Sequence, residues 1–116
     1  ATPSEAQLKW QDFEVGAMIT WNLQTLCTQV KARASAQRCQ VGGSGFVPNL
    51  DATMQWNPTK LDTDKWVRVA KSFGAKYIVL VADHMTGFTL WDTKAHNFSM
   101  AHTKWRGGGG DVVQEF

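Results

Sequence analysis

The chain has 116 residues, enough for one small domain, and 43% of them are apolar, so material for a core is present. Twelve basic and ten acidic residues leave a formal net charge of +2. No run of Lys or Arg gives the basic footprint of a nucleic-acid-binding protein. No apolar stretch approaches the roughly 20 residues that a bilayer-spanning helix needs, so neither nucleic acid nor membrane is an expected partner. The chain begins Ala-Thr-Pro-Ser without Met. That reads as a mature end left by signal-peptide removal, although an arbitrary cut would look the same.

The first predicted element is a helix over 3–14, with Thr2, Pro3 and Glu5 as its start signal and Ala6, Trp10 and Phe13 on one face. Residues 15–21 follow, continuously apolar as far as Ile19, as suits a strand covered on both faces. The stretch 22–57 has no regular pattern and is Gly-rich from Val41 to Gly45. It reads as a long strand-to-helix excursion, possessing a function or short elements of its own. Cys27 and Cys39 fall inside it. They either close a disulfide, as secretion would favour, or stay as two thiols.

The spacing predicts a second helix over 62–73. Asp62 is its cap, Trp66, Val69, Ala70 and Phe73 share a face, Leu61 and Trp66 form a hydrophobic staple, and Gly74 is the left-handed stop. Residues 76–82 form the clearest strand, apolar without alternation from Ile78 to Ala82 and therefore parallel and central. Strand, helix and strand make a βαβ unit with a right-handed crossover. After the connection 83–110, which closes on Gly107–Gly110, Asp111 caps a helix that Val112, Val113 and Phe116 only begin. A helix this short rarely stands alone. The expectation is therefore of no complete domain, residues 1–116 being the N-terminal portion of a larger α/β fold.

In parallel α/β folds function gathers at the C-terminal ends of strands. Here these are Thr20-Trp21-Asn22 and Asp83-His84-Met85-Thr86. His84 is either a histidine satisfied by a local hydrogen bond or a ligand contact, and its position favours the second. The spacing of His84, His96 and His102 matches no metal signature, and no metal site is expected. Nothing local supports a triad of Cys27, His84 and Asp83. The tetraglycine lacks the Lys-Ser/Thr of a phosphate loop. Sugar hydrolysis needs two carboxyl groups. Asp83 and Asp92 have no convincing partner, so no catalytic set is complete. Asn97-Phe98-Ser99 is a glycosylation acceptor triplet, whereas Asn57-Pro58-Thr59 is excluded by its proline.

Residues 46–116 resemble glycoside hydrolase family 29, the α-L-fucosidases. The resemblance is carried in order by Trp56-Asn57-Pro58-Thr59-Lys60-Leu61-Asp62, Trp66-Val67 with Ala70-Lys71, and Gly74-Ala75-Lys76-Tyr77-Ile78-Val79-Leu80. It continues through His84, Gly87-Phe88-Thr89-Leu90-Trp91, Trp105-Arg106-Gly107-Gly108 and Gly110-Asp111-Val112-Val113. Gln7-Leu8, Trp10 and Gly16-Ala17 extend it more loosely. The Trp-Arg-Gly-Gly stretch looks most like the plant and fungal branch.

The resemblance implies a (β/α)8 barrel of which this chain holds the first two strands, their helix and the start of the next. It also implies a retaining two-carboxylate mechanism, no cofactor, and a fucosylated glycan as partner in a secreted or lysosome-like setting. The nucleophile and the acid/base are expected beyond Phe116, and the remainder of the barrel or a second chain is the other implied partner. His84 is carried over as a fucose contact and Trp21 as a pocket-wall aromatic. Thr20 and Met85 occupy pocket positions where the family usually has His. Asp83 and Thr86 stand where it has Lys and Asp, and residues 22–57 hold no Glu for the family's fucose-binding one. Specificity has shifted, or the parent is catalytically degraded.

Overall fold

The computed structural model describes residues 2–23, 25, 53–84 and 86–116. The expected pair Cys27 and Cys39, the glycine-rich stretch and Met85 lie outside them.

Helix α1 spans Glu5–Gln11, shorter than the expected 3–14. Its cap is Ser4, not Thr2. The Ser4 hydroxyl accepts from the Gln7 N–H at 3.3 Å and the Gln7 side chain accepts from the Ser4 N–H at 2.7 Å, a reciprocal box. Pro3 therefore precedes the helix instead of opening it. Glu14 lies in the left-handed region at φ 53° and turns the chain into strand β1, Gly16–Ile19.

Helix α2, Thr63–Ser72, starts where the Asp62 carboxylate accepts from the Lys65 N–H at 2.7 Å. It stops at Gly74, which takes φ 88°. Strand β2, Tyr77–Leu80, then returns parallel to β1, pairing Gly16 with Tyr77, Ala17 with Ile78, Met18 with Val79 and Ile19 with Leu80. The ladder extends past both ends, Lys76 N–H to the Val15 carbonyl at 2.8 Å and Val81 N–H to the Ile19 carbonyl at 2.9 Å. The expected strand–helix–strand unit is thus present, with each strand trimmed to four residues.

At the N-terminal edge of the sheet the Tyr77 ring lies across Gly16, where a Cβ would strike it. Trp10 and Phe13 gather on the same ring at 5.8 and 6.3 Å. This aromatic cluster, not a buried stripe, holds α1 to the sheet, because α1 has no buried residue.

The two strands were expected to be covered on both faces. Among the described residues they are not: Met18 is 71% exposed and Val79 43%, side by side on one face, while Ala17, Ile19, Ile78 and Leu80 are half-buried or turned to the other. Helix α2 likewise buries Ala70 but leaves Val69 and Phe73 more than half exposed.

The buried apolar cluster sits elsewhere. It comprises Leu23, Trp56, Phe88, Leu90, Met100, Trp105 and Val112, with Trp21, Leu61, Trp66, Leu80 and Phe98 against its rim. Most of it comes from the connection after β2. That segment is organised by a short antiparallel bridge of Asp83 with Thr89 and a parallel bridge of Thr89 with Ser99. Two 3₁₀ turns follow, Met100–His102 and Trp105–Gly107. Helix α3, Val112–Glu115, closes the chain, capped by Asp111, whose carboxylate accepts from the Gln114 N–H at 2.7 Å. The backbone of Leu90 binds both ways, its N–H to the Ala82 carbonyl at 3.0 Å and its carbonyl to the Val112 N–H at 2.8 Å. The start of α3 is thereby stitched beside the end of β2.

Candidate functional site

Parallel pairing brings the C-terminal ends of β1 and β2 to the same edge, so Thr20-Trp21-Asn22 and Asp83-His84 emerge together. Their side chains diverge from there. Thr20 and Asp83 are exposed. Trp21 is half-buried and stacks on Trp56 with ring centroids 4.7 Å apart and planes 24° apart, with Trp66 tilted against it at 6.0 Å. Asp62 and Leu61 lie near this group, and together with Ala17, Ile19, Trp21 and Trp66 they line a cavity of about 970 Å³ between β1 and α2. His84 and Thr20 are not among its lining residues. The structure thus puts Trp21, but neither His84 nor Thr20, on the wall of this cavity.

His84 is half-buried, and its Nδ1 is sealed from solvent with no hydrogen-bond partner among the described residues. Its backbone carbonyl accepts from the Gly87 N–H at 2.8 Å, forming the tight turn that Gly87 permits at φ 70°. Thr86 spends its hydroxyl on the same turn, accepting from the Phe88 N–H at 3.3 Å. Burial of a ring nitrogen without a partner costs on the order of 1–3 kcal/mol. An orphan of this kind at a strand end is a feature that a bound group or a neighbouring segment can satisfy.

The described residues contain no group of three or more His, Cys, Asp or Glu able to hold a metal ion. His96 and His102 make local bonds instead: the Phe98 N–H donates to His96 Nδ1 at 3.2 Å, and Ser99 Oγ lies 2.9 Å from His102 Nδ1. Asp92 is exposed, its N–H donating to the Asp111 carboxylate at 3.4 Å. Asp83 and Asp92 thus face solvent, and no pair of carboxyl groups frames a pocket among the described residues. No helix of the described residues is long and apolar enough to cross a membrane.

Two arrangements escaped sequence reasoning. Trp56 is a partner of Trp21 although 34 residues lie between them in the chain, and only the shared Trp residue type hinted at it. Arg106 sits at φ 54° between buried Trp105 and Gly107 and reaches the Glu115 carboxylate with two bonds, of 3.0 and 3.1 Å. The Glu115 hydrogen bond and charge raise the guanidinium's already high pKa further. The guanidinium carbon also lies 5.1 Å from the centre of the Trp105 ring.

Two adjacent parallel strands, a helix on the crossover and polar residues at the strand ends are the architecture of the N-terminal region of a (β/α)8 barrel. The α-L-fucosidase family model matches residues 4–116. The chain belongs to that family.

Among curated relatives it is 34% identical over 113 residues to putative α-L-fucosidase 1 of Oryza sativa subsp. japonica, covering 97% of this chain and 19% of that protein. It is 36% identical over 80 residues to α-L-fucosidase 1 of Arabidopsis thaliana, covering 60% of this chain and 16% of that one. The chain thus spans less than a fifth of the length of either plant relative. Among solved structures, a putative α-L-fucosidase from Bacteroides thetaiotaomicron superposes with TM-score 0.75 at 33% identity, over 98% of this chain and 24% of that one. A second, an α-L-fucosidase from the same organism trapped as a covalent intermediate with 2-fluoro-fucosyl fluoride, gives 0.70 at 27% identity, over 98% and 26%.

Proposed function

We propose that the protein to which this chain belongs is a retaining α-L-fucosidase that removes terminal L-fucose from glycans in a secreted or lysosome-like setting. The carrying observation is the family match across residues 4–116 on a structure whose strand ends converge on one edge. A relative of similar fold forms a covalent fucosyl intermediate, which is the signature of the retaining route through a carboxylate nucleophile. In this reading the nucleophile and the acid/base are supplied by a segment other than these 116 residues. His84 contacts a fucose hydroxyl, and Thr20 and Met85 border the sugar with shorter or apolar side chains than His. Trp21 helps to form the pocket wall through its stack on Trp56. The plant and fungal branch is favoured by the Trp105-Arg106-Gly107-Gly108 stretch and by the match to the rice protein across 97% of this chain.

The exposed apolar residues Met18, Val79, Val69 and Phe73 are the faces on which the remaining barrel strands and helices pack. The test is turnover of an aryl α-L-fucoside by the full-length protein. His84→Ala should lower kcat/KM by about 5- to 150-fold, the equivalent of one lost hydrogen bond to the sugar. No turnover by a folded protein would reject the enzymatic reading.

A second reading is a binding protein that keeps the barrel and has lost catalysis. Thr20 and the Met85 substitution for a family His favour it. Calorimetric binding of fucose without hydrolysis would select it.

A further inference from the structure

The triplet Asn97-Phe98-Ser99 is split by the fold. Asn97 is exposed, and no hydrogen bond to another described residue holds its amide. Ser99, two positions later, is completely buried. Its Oγ lies 2.9 Å from His102 Nδ1, its carbonyl accepts from the His102 N–H at 3.1 Å, and its backbone pairs with Thr89. Phe98 between them is fixed as well. Its carbonyl accepts from the Thr89 N–H at 3.2 Å and its ring meets Phe88 edge-on at 5.1 Å.

An oligosaccharide transferase must engage the Asn amide and the Ser hydroxyl of one triplet together, on chain that can bend into its site. The folded segment offers the first group and seals the second. We propose that Asn97 is an N-glycosylation site that accepts its glycan only before the connection after β2 has folded, and that the finished fold then displays the glycan outward.

The transfer forms a bond between Asn97 Nδ2 and the anomeric carbon of the donor's reducing-end sugar. It breaks the bond from that carbon to the pyrophosphate of a lipid-linked oligosaccharide. The lipid pyrophosphate leaves, and Nδ2 gives up one proton. Bulk is tolerated at Asn97 because the residue is exposed, and a glycan there lies outside the buried cluster that Ser99, Phe88 and Met100 build. Asn57 serves as an internal control. It is also exposed, but Pro58 follows it and bars the triplet from transfer.

The proposal rests on the secretory setting put forward above, and the experiment separates the two. The full-length protein is secreted from eukaryotic cells behind an imposed leader, so it meets the transferase whatever its natural route. Peptides spanning Asn97 and Asn57 are then read by mass spectrometry before and after peptide:N-glycosidase treatment. The expected result is a glycan at Asn97, none at Asn57, and loss of the Asn97 glycan in Asn97→Gln with the protein still secreted. In a second arm, folded protein that never carried a glycan and a synthetic peptide of residues 92–104 are offered to purified transferase with lipid-linked donor. The peptide should react at least ~10-fold faster, since exposing Ser99 requires local opening of at least 1.4 kcal/mol. A bare Asn97 in the leader-driven protein overturns the site, and equal rates for folded protein and peptide overturn the order of events.

Discussion

The βαβ unit and the connection that follows it are opposites in how they satisfy themselves. In the unit, β1, α2 and β2 have regular hydrogen bonding but leave Met18, Val69, Phe73 and Val79 open to solvent. The connection, residues 83–112, has almost no regular structure, yet it contributes Phe88, Leu90, Met100, Trp105 and Val112 to the buried cluster. It also spends its polar groups on itself. Thr103 Oγ1 donates to the Met100 carbonyl at 2.8 Å and accepts from the Trp105 N–H at 3.3 Å. The lesson is that regular elements in a barrel are half-finished surfaces awaiting neighbours, whereas a long loop over strand ends must close its own core, since buried backbone polar groups need partners.

The contrast can be broken most decisively at the open sheet face. Met18→Lys in the full-length protein should cost roughly 3–5 kcal/mol, the range for a buried charge left without a partner. The same change in the isolated 116-residue chain should leave its fold unaltered and reduce its self-association. Denaturant titration of the first and light scattering of the second decide the matter, and a full-length protein indifferent to Met18→Lys would mean that nothing packs on that face.

On the other side, Trp105→Ala should remove about 3–5 kcal/mol, as for large aromatic truncations in cores. Proteolysis should then cut first within 83–112. If the cuts fall in α1 instead, Trp105 is not what holds the connection in place.

A smaller effect compares two glycines that crowd aromatic rings in the two regions. A Cβ on Gly110 would run into the Trp105 indole, and one on Gly16 into the Tyr77 ring. Trp105 is buried and cannot yield, whereas Tyr77 is only half-buried and can swing. Gly110→Ala should therefore cost about 1–3 kcal/mol, the usual price of overpacking, and Gly16→Ala less. Equal melting shifts for the two variants would erase the distinction.

The smallest effect belongs to Arg106. Replacing it by Gly relieves the left-handed backbone at φ 54° and forfeits the exposed pair with Glu115. The two changes oppose, so thermal stability should barely move, while its dependence on salt should weaken. A large loss on Arg106→Gly would show that the clamp to α3 outweighs the strain.

Legibility followed the same divide. Asp62, Asp111 and Gly74 could be read as helix signals because a cap acts over three or four residues, within reach of the sequence. The choice of Ser4 over Thr2 at α1 could not, since both precede a helical pattern and Gln7 decides by folding back on Ser4. His84 was legible as a strand-end histidine because the apolar run stops at Ala82. Its sealed Nδ1 was not, for that depends on how the Gly87 turn folds. Trp21 was legible as an aromatic of the pocket region, but its stack on Trp56 was not.

By itself the sequence determined the order of elements, their parallel pairing and the family, because period, caps and ordered motifs are local quantities that add up along the chain. Only the tertiary structure decided where the core lies and which groups are sealed. Leu90 joins Val112, Thr63 Oγ1 donates to the Glu115 carbonyl at 2.9 Å, and Ser99 is buried beside an exposed Asn97. Those outcomes couple residues distant in sequence through backbone that repeats no period, so no local pattern carries them.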